Sequence, residues 1–428
     1  MPRDQPAQSI VIHGTSPGVH NYEKKQGDQR LSNAKLAELS LQFQEQKATL
    51  GENHPDTLHT MSNLANTYNK MGSCKEAEKL GVQAMAKQKQ ILGEEHPDTL
   101  RTMSNLANTY HNIERFKEAE ELGVLVMRKQ KQILGEDHPE TLCTMSNLAS
   151  AYNELGRSME AEELGVLVVR TQKEILGEDH PDTLFTMSNL AVTYHHMGRF
   201  KEAEELGALV IRKQKQILGD ENPDTFRTMS NLAVTYSALG WFKEAEELGV
   251  LVMRKLKRIL GEDHPDTLLT MSTLASTYHR LKRFKEAEEL GVLVMRKQKH
   301  ISGEDHPHTL RTMSNLAWTY YQLGKFKEAE ELGVLVMRKQ KQILGEDDPH
   351  TLSTMSNLAV TYCDMGRFKE AEKLGVLVMR KQKQILGEDH PRTLCTMNNL
   401  TLTYRKLGKA AEAKALEKSI QKIRKVCK

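Results

Sequence analysis

Across residues 97–138, PDTLRTMSNLANTYHNIERFKEAEELGVLVMRKQKQILGEDH, the apolar side chains fall into two stripes. Leu100, Met103, Leu106, Ala107 and Tyr110 follow one another at spacings of three and four, which is one face of an α-helix. After a break at HNIER, Ala119, Leu122, Val126 and Ile133 mark a second stripe and predict a helix from about Lys117 to Leu134. Pro97 suits the first helical turn, where its missing N–H costs nothing, and Asp98 complements the positive end of the helix dipole. The second helix opens on EAEE and closes on RKQK, so charge matches the dipole at both ends, and Gly135 stops it. Where this unit reads HNIER, six others carry a glycine (Gly72, Gly156, Gly198, Gly240, Gly324, Gly366), which predicts a left-handed helix cap. No alternating β pattern occurs, so the unit reads as a helical hairpin.

The hairpin recurs. Pro55, Pro97, Pro139, Pro181, Pro223, Pro265, Pro307, Pro349 and Pro391 are each 42 residues apart. A fixed period of this size means a stacked array of one supersecondary unit rather than a globular enzyme core. Neither helix can hide its stripe alone, whereas stacking buries both, at about 25 cal/mol per Å² of apolar area. A glycine in the middle of the second helix (Gly81, Gly123, Gly165, Gly207, Gly249, Gly291, Gly333, Gly375) costs about 1 kcal/mol against alanine and predicts a close helix–helix approach. The expected layout is a disordered tail over 1–30 and an N-terminal half-repeat and capping helix over 31–54. Eight full repeats over 55–390 and a degenerate repeat with a capping helix over 391–428 complete it.

The pattern NLAxTY followed by GRFKEAEEL resembles the tetratricopeptide repeat, with Leu106, Ala107, Tyr110, Phe116 and Ala119 at its packing positions. The 42-residue form ending ILGEDHPDTL resembles the kinesin light chain and nephrocystin-3-like type, and also the repeat tails of nucleotide-binding, innate-immune-type receptors. Gly123 stands where the family often has a large aromatic, and Val126 where it often has alanine. The resemblance covers residues 31–428 and implies an all-α, right-handed superhelical solenoid of about 19 antiparallel helices. It implies a non-enzymatic scaffold or adaptor that binds a peptide segment or partner protein in a concave groove. The alternatives are a kinesin-light-chain-type cargo adaptor, which a heptad coiled coil would mark, and a receptor sensor tail, which a nucleotide-binding module would mark. About 30 residues precede the repeats and carry no heptads, and no G-x-x-x-x-G-K-[ST] occurs in the chain.

The copies also show where variation is allowed. Counted from each proline, the first helix varies chiefly four, eleven, fourteen and fifteen residues on. Steps of seven, three and four keep those side chains on one face. In a tetratricopeptide superhelix that face lines the concave groove. The second-helix face KEAEELGVLVMRKQKQ, also expected to be partly exposed, hardly varies, so the stripe is the place to look for partner specificity. The expected partner-binding residues are Arg101, Asn108, Phe185, His195, His196, Arg227, Arg311, Trp318 and Tyr321. Trp318 and Tyr321 sit one turn apart beside Arg311, and aromatic and Arg anchors are the usual interface hot spots. Asn398 and Asn399 join them, because kinesin-light-chain-like repeats carry an Asn-Asn pair there whose asparagines can hold a peptide backbone; elsewhere this chain has Ser-Asn.

Charge and composition narrow the field. Sixty Lys+Arg against 57 Asp+Glu, with 5% aromatic residues, argue against a nucleic-acid binder. No apolar run is long enough to insert in a membrane or form a signal peptide, and the five cysteines show neither metal nor disulfide spacing, so a reducing cytoplasm is expected. His-Pro recurs seven times, but one histidine per unit makes a helix-entry role the expectation and a metal site not. No catalytic signature or phosphate loop is present, so neither catalysis nor a cofactor is expected.

Overall fold

The structure, a computed structural model, describes residues 28–426, so the tail expected over 1–30 lies almost wholly outside the described residues. Among the described residues the secondary structure is nineteen α-helices with no strand. They begin with α1 (Asp28–Thr49), α2 (Pro55–Lys70), α3 (Cys74–Ile91), α4 (Pro97–Asn112), α5 (Phe116–Ile133), α6 (Pro139–Glu154) and α7 (Ser158–Ile175). Then come α8 (Pro181–His196), α9 (Phe200–Ile217), α10 (Pro223–Leu239), α11 (Phe242–Ile259), α12 (Pro265–Arg280) and α13 (Phe284–Ile301). The last are α14 (Pro307–Gln322), α15 (Phe326–Ile343), α16 (Pro349–Asp364), α17 (Phe368–Leu386), α18 (Pro391–Lys406) and α19 (Ala410–Val426). The fold is an all-α tetratricopeptide-type solenoid. The described helices form two compact units, 28–274 and 275–426.

Every first helix starts on its proline. The residue before it supplies the cap. His54, His96, His138, His180, His264, His306 and His390 each accept, at Nδ1, the backbone N–H two residues on, all at 3.2 Å. Where the repeat has Asn222 or Asp348 instead, the side-chain oxygen takes the same N–H at 2.8 Å. The recurring histidine is therefore a helix cap whose ring nitrogen does what the side-chain oxygens of Asn and Asp usually do. Among the described residues no cluster of His, Cys, Asp and Glu could hold a metal ion.

The turn inside each hairpin needs a left-handed residue. Gly72, Gly156 and their equivalents supply it at φ between 74° and 81°. In the two units without that glycine, Glu114 and Lys282 adopt φ 60° and 61°, so the turn survives the loss of its preferred residue. The second helix of the 97–138 unit begins at Phe116, one residue earlier than predicted, because Arg115 directly after that turn is already the cap.

Packing follows a single recipe. In the units that start at Pro97, Pro139, Pro181, Pro307 and Pro349, the first-helix Leu and Met meet the Val of the unit's own second helix, as in Leu142, Met145 and Val168, with Met127 of the preceding second helix closing the cluster. The mid-helix glycine makes the next joint. A Cβ on Gly123 would stand 3.3 Å from Leu148 Cδ1, and one on Gly375 3.3 Å from Leu400 Cδ1, so the close approach predicted from the glycine is to the first helix of the following unit. A polar ladder runs alongside: Thr102 donates to Ser62 at 2.7 Å, and Ser188–Thr228 (3.0 Å) and Ser314–Thr354 (2.8 Å) repeat the contact.

Candidate functional site

Within each compact unit, neighbouring first helices touch, as α2 touches α4 and α14 touches α16. Neighbouring second helices make no comparable contact among the described residues. The first helices are therefore the crowded, inner side of the stack. In the 28–274 unit this side curves back on itself. A Cβ on Gly72 would fall 2.3 Å from Pro265 Cγ, five units further on, so glycine is required there by space as well as by its φ of 77°. Lys70 keeps contact with solvent, yet surrounding protein lowers its pKa, with Lys35 adding to the effect and Asp224 and Cys143 opposing it. The inner space of this unit is narrow enough for first helices four units apart to sense one another.

The varying positions do not stand alone on this face. They meet residues of the neighbouring unit, several of which are themselves at varying positions. Arg101 Nη2 lies 2.8 Å from His59 Nδ1 and pairs with Asp98. The Arg227 guanidinium sits 4.4 Å over the Phe185 ring and 3.4 Å from Asp224. Val192 packs on Val234. His195 Nδ1 is 3.2 Å from Thr235 Oγ1, and His279 Nδ1 3.5 Å from Thr319 Oγ1. Tyr321 donates its hydroxyl proton to Asp364.

Burial is deeper than an exposed groove would give. Asn108, Phe185 and Trp318 are 7%, 6% and 8% exposed. Trp318 stacks on Tyr321 with ring centroids 4.6 Å apart and planes within 18°. His195 and His196 meet edge to face at 6.0 Å, and His195 also packs on Phe200 at 5.2 Å. Burial lowers His195 to about 3, with the charge of His196 adding to it, and lowers His196 to about 4. Both are neutral near pH 7. His111, likewise pushed down to about 4 by burial, occupies the equivalent place one unit pair earlier. Arg311 contacts His308 Nδ1 at 2.9 Å, and its charge reaches His350, which burial, Arg311 and Arg392 hold at about 3.

The Asn pair separates. Asn398 is exposed and donates to Leu394 O at 2.9 Å, while Asn399 is half-buried and donates to Cys395 Sγ at 3.9 Å. In six other units the serine at the first place of the pair belongs to the Ser–Thr ladder, and Ser146 instead accepts from Asn189, structural uses that explain why the serine hardly changes. The sequence pattern located the inner stripe. It missed the pairing of residues about 42 apart, the Nδ1 acceptor geometry of the helix-entry histidines, and His350, whose unit was assigned no binding residue.

The chain resembles known proteins along most of its length. Family models described as tetratricopeptide repeat match residues 56–124, 140–212 and 350–425, and a second such model matches 225–266, 267–308 and 309–350. A solved Podosopora anserina protein, described as a kinesin light chain with nearly identical TPR-like repeats, is 34% identical. That match covers 48% of this chain and 97% of the other, with a TM-score of 0.39. A Rap protein complexed with competence and sporulation factor is 10% identical over 86% of this chain and 98% of its own, with a TM-score of 0.59. The apo quorum sensor NprR from B. thuringiensis is 14% identical over 85% and 97%, with a TM-score of 0.57. The last two are likenesses of fold. No curated protein sequence matches the chain.

Proposed function

We propose, for a chain that belongs to the tetratricopeptide repeat family in its 42-residue, kinesin-light-chain-type form, that the inner face of its first helices binds an extended segment of a partner protein. One observation carries this reading: variation gathers on that face, while the second-helix sequence, with Leu125, Leu251, Leu293 and Val334 exposed, stays nearly constant. Free drift would have altered both. The narrow inner space of the 28–274 unit favours an extended chain over a helix, because a helix with its side chains is about 10 Å across.

In this reading Arg101, Arg227, Tyr321 and Asn398 present polar groups to the segment. Phe185, Trp318 and Asn108 shape the floor beneath it. The role is non-catalytic and cytoplasmic, and segments 31–54 and 391–428 serve as the end caps of the array. No described helix is long and apolar enough to cross a membrane.

Affinity purification with mass spectrometry, comparing wild type with Tyr321→Ala and with the Trp318→Ala/Tyr321→Ala pair, tests the proposal. Tyr321 is the cleaner probe, because Trp318 is buried and its loss also disturbs packing. A specific partner lost in Tyr321→Ala at unchanged helicity is the expected result. A partner set indifferent to both variants would remove the inner face as the binding surface.

A further inference from the structure

The joints between units carry a repeated cation. Arg115 reaches back to Glu78, Arg157 to Glu120, Arg199 to Glu162 (2.5 Å) and Arg367 to Glu330. Lys325 and Lys409 do the same with Glu288 and Glu372, both at 2.6 Å. Each arginine also bonds a glutamate in the first turn of its own second helix, as Arg157 Nε bonds Glu160 at 2.9 Å. Its guanidinium lies 4.4–4.5 Å over the last tyrosine of the first helix. The joint is thus a three-sided slot made of a tyrosine ring and two carboxylates, one from each unit, and the chain fills it with its own cation.

The unit starting at Pro223 has the slot and lacks the cation. Tyr236, Glu204 and Glu244 stand where Tyr194, Glu162 and Glu202 stand one unit earlier, but the place of Arg199 is taken by Trp241. The indole leans on Tyr236 with centroids 5.5 Å apart and planes 37° apart, and it keeps 43% of its surface exposed. It is the one aromatic among the exposed large apolar side chains of the described residues. Glu204 and Glu244 make no ion pair among the described residues. Both nevertheless act on Tyr236, whose pKa is raised by burial first and by these two carboxylates after it.

We propose that this joint receives an arginine side chain from a separate partner protein, its guanidinium stacked on the open face of Trp241 and paired with Glu204 and Glu244. Charge complementarity and the sibling joints identify the occupant. In those joints the equivalent carboxylates grip a guanidinium from two sides, a geometry that suits the planar fork of arginine better than the point charge of lysine. Tryptophan is the aromatic that holds cations best. The site lies at the α10–α11 turn and shares no residue with the inner stripe, so it stands or falls separately from the peptide-binding reading.

The test uses the full chain and the peptide acetyl-Gly-Arg-Gly-amide, followed by the indole N–H resonance of Trp241, with the citrulline peptide as a neutral isostere. A saturable shift with the arginine peptide and none with citrulline is expected. Glu204→Gln and Glu244→Gln each weaken binding about two- to fivefold, the range supplied by exposed ion pairs. Trp241→Arg restores the chain's own bridge, so it folds at least as stably and abolishes binding by occupying the slot. Equal shifts with citrulline, full binding to Trp241→Arg, or no saturable shift in wild type would overturn the proposal. Self-association of the wild type that Trp241→Arg abolishes would assign the arginine to a second copy and overturn the separate partner.

Discussion

Arg227 and Arg311 hold the same place in their units, four residues after the proline, and meet opposite surroundings. Arg227 lies beside Asp224 and over Phe185, so its charge is balanced and its flat face is covered. Arg311 contacts His308, and its field falls on His350 and, through it, on a site shared with Arg392. The residue just after the proline makes the difference. It is Asp56, Asp98, Glu140, Asp182, Asp224 and Asp266 in six units, then His308, His350 and Arg392 in the last three. An acid there favours the helix by complementing its dipole. The last three units give up that stabilisation and gain a basic inner rim. One scaffold therefore carries two electrostatic characters, changed at a position where local stability alone would keep the acid.

The largest test of this comparison asks whether the scaffold beneath the two regions is really the same. Leu232 packs on Gly207 near Arg227, and Leu358 packs on Gly333 in the region of Arg311. Leu232→Ala and Leu358→Ala should each cost about 2–5 kcal/mol, by the loss of buried methyl groups and the cavity left behind. Denaturant melts monitored by circular dichroism should show similar losses, and a large inequality would break the idea of a uniform scaffold. Arrays melt unit by unit, so each midpoint should be compared with wild type in the same transition.

A smaller effect separates the two arginines themselves. Arg227→Leu removes the Asp224 pair and the cover on Phe185 and should destabilise by about 1 kcal/mol. Arg311→Leu removes the His308 contact rather than the carboxylate pair and aromatic cover seen at Arg227, and should cost less in the same melt. Equal destabilisation would mean that the two surroundings do not differ in energy.

The smallest effect is in pH. The His350 pKa is depressed from an ordinary 6.5 to about 3 by burial, then by Arg311 and Arg392. Its neutral form is therefore favoured in the folded chain. The stability it contributes is complete above pH 6.5 and is lost as pH falls towards 3. His350→Asn should flatten the fall in melting temperature across that window, and Arg311→Leu should flatten it partly. His195, depressed to about 3 by burial and then by its neighbour His196, should contribute a fall of the same sign that is insensitive to Arg311→Leu. If Arg311→Leu changed both slopes alike, the special character of the basic rim would be lost.

How much of this was legible in the sequence depends on the range of the interaction. Helix starts at the prolines, the left-handed turn at Gly72 and its equivalents, and the inner stripe all follow from residues within a few positions of one another. The capping role of histidine was half legible: its place at helix entry was readable, its Nδ1 acceptor geometry was not. The partner of the mid-helix glycine stayed hidden, because Gly123 and Leu148 are joined only by the stacking of units. So did the depth of the stripe. Phe185 and Trp318 read as surface anchors by type and spacing, but in the structure little of either reaches solvent.

By itself the sequence determined the hairpin, its repetition and the face on which variation is permitted, because backbone torsions, caps and helical periodicity act within one turn or one unit. Tertiary structure alone decided how those varying residues are used. It set Arg227 over Phe185, Tyr321 against Asp364, and Trp241 in a slot built for a cation. Those outcomes depend on which side chains of neighbouring units come within a few ångströms, and stacking geometry sets that distance.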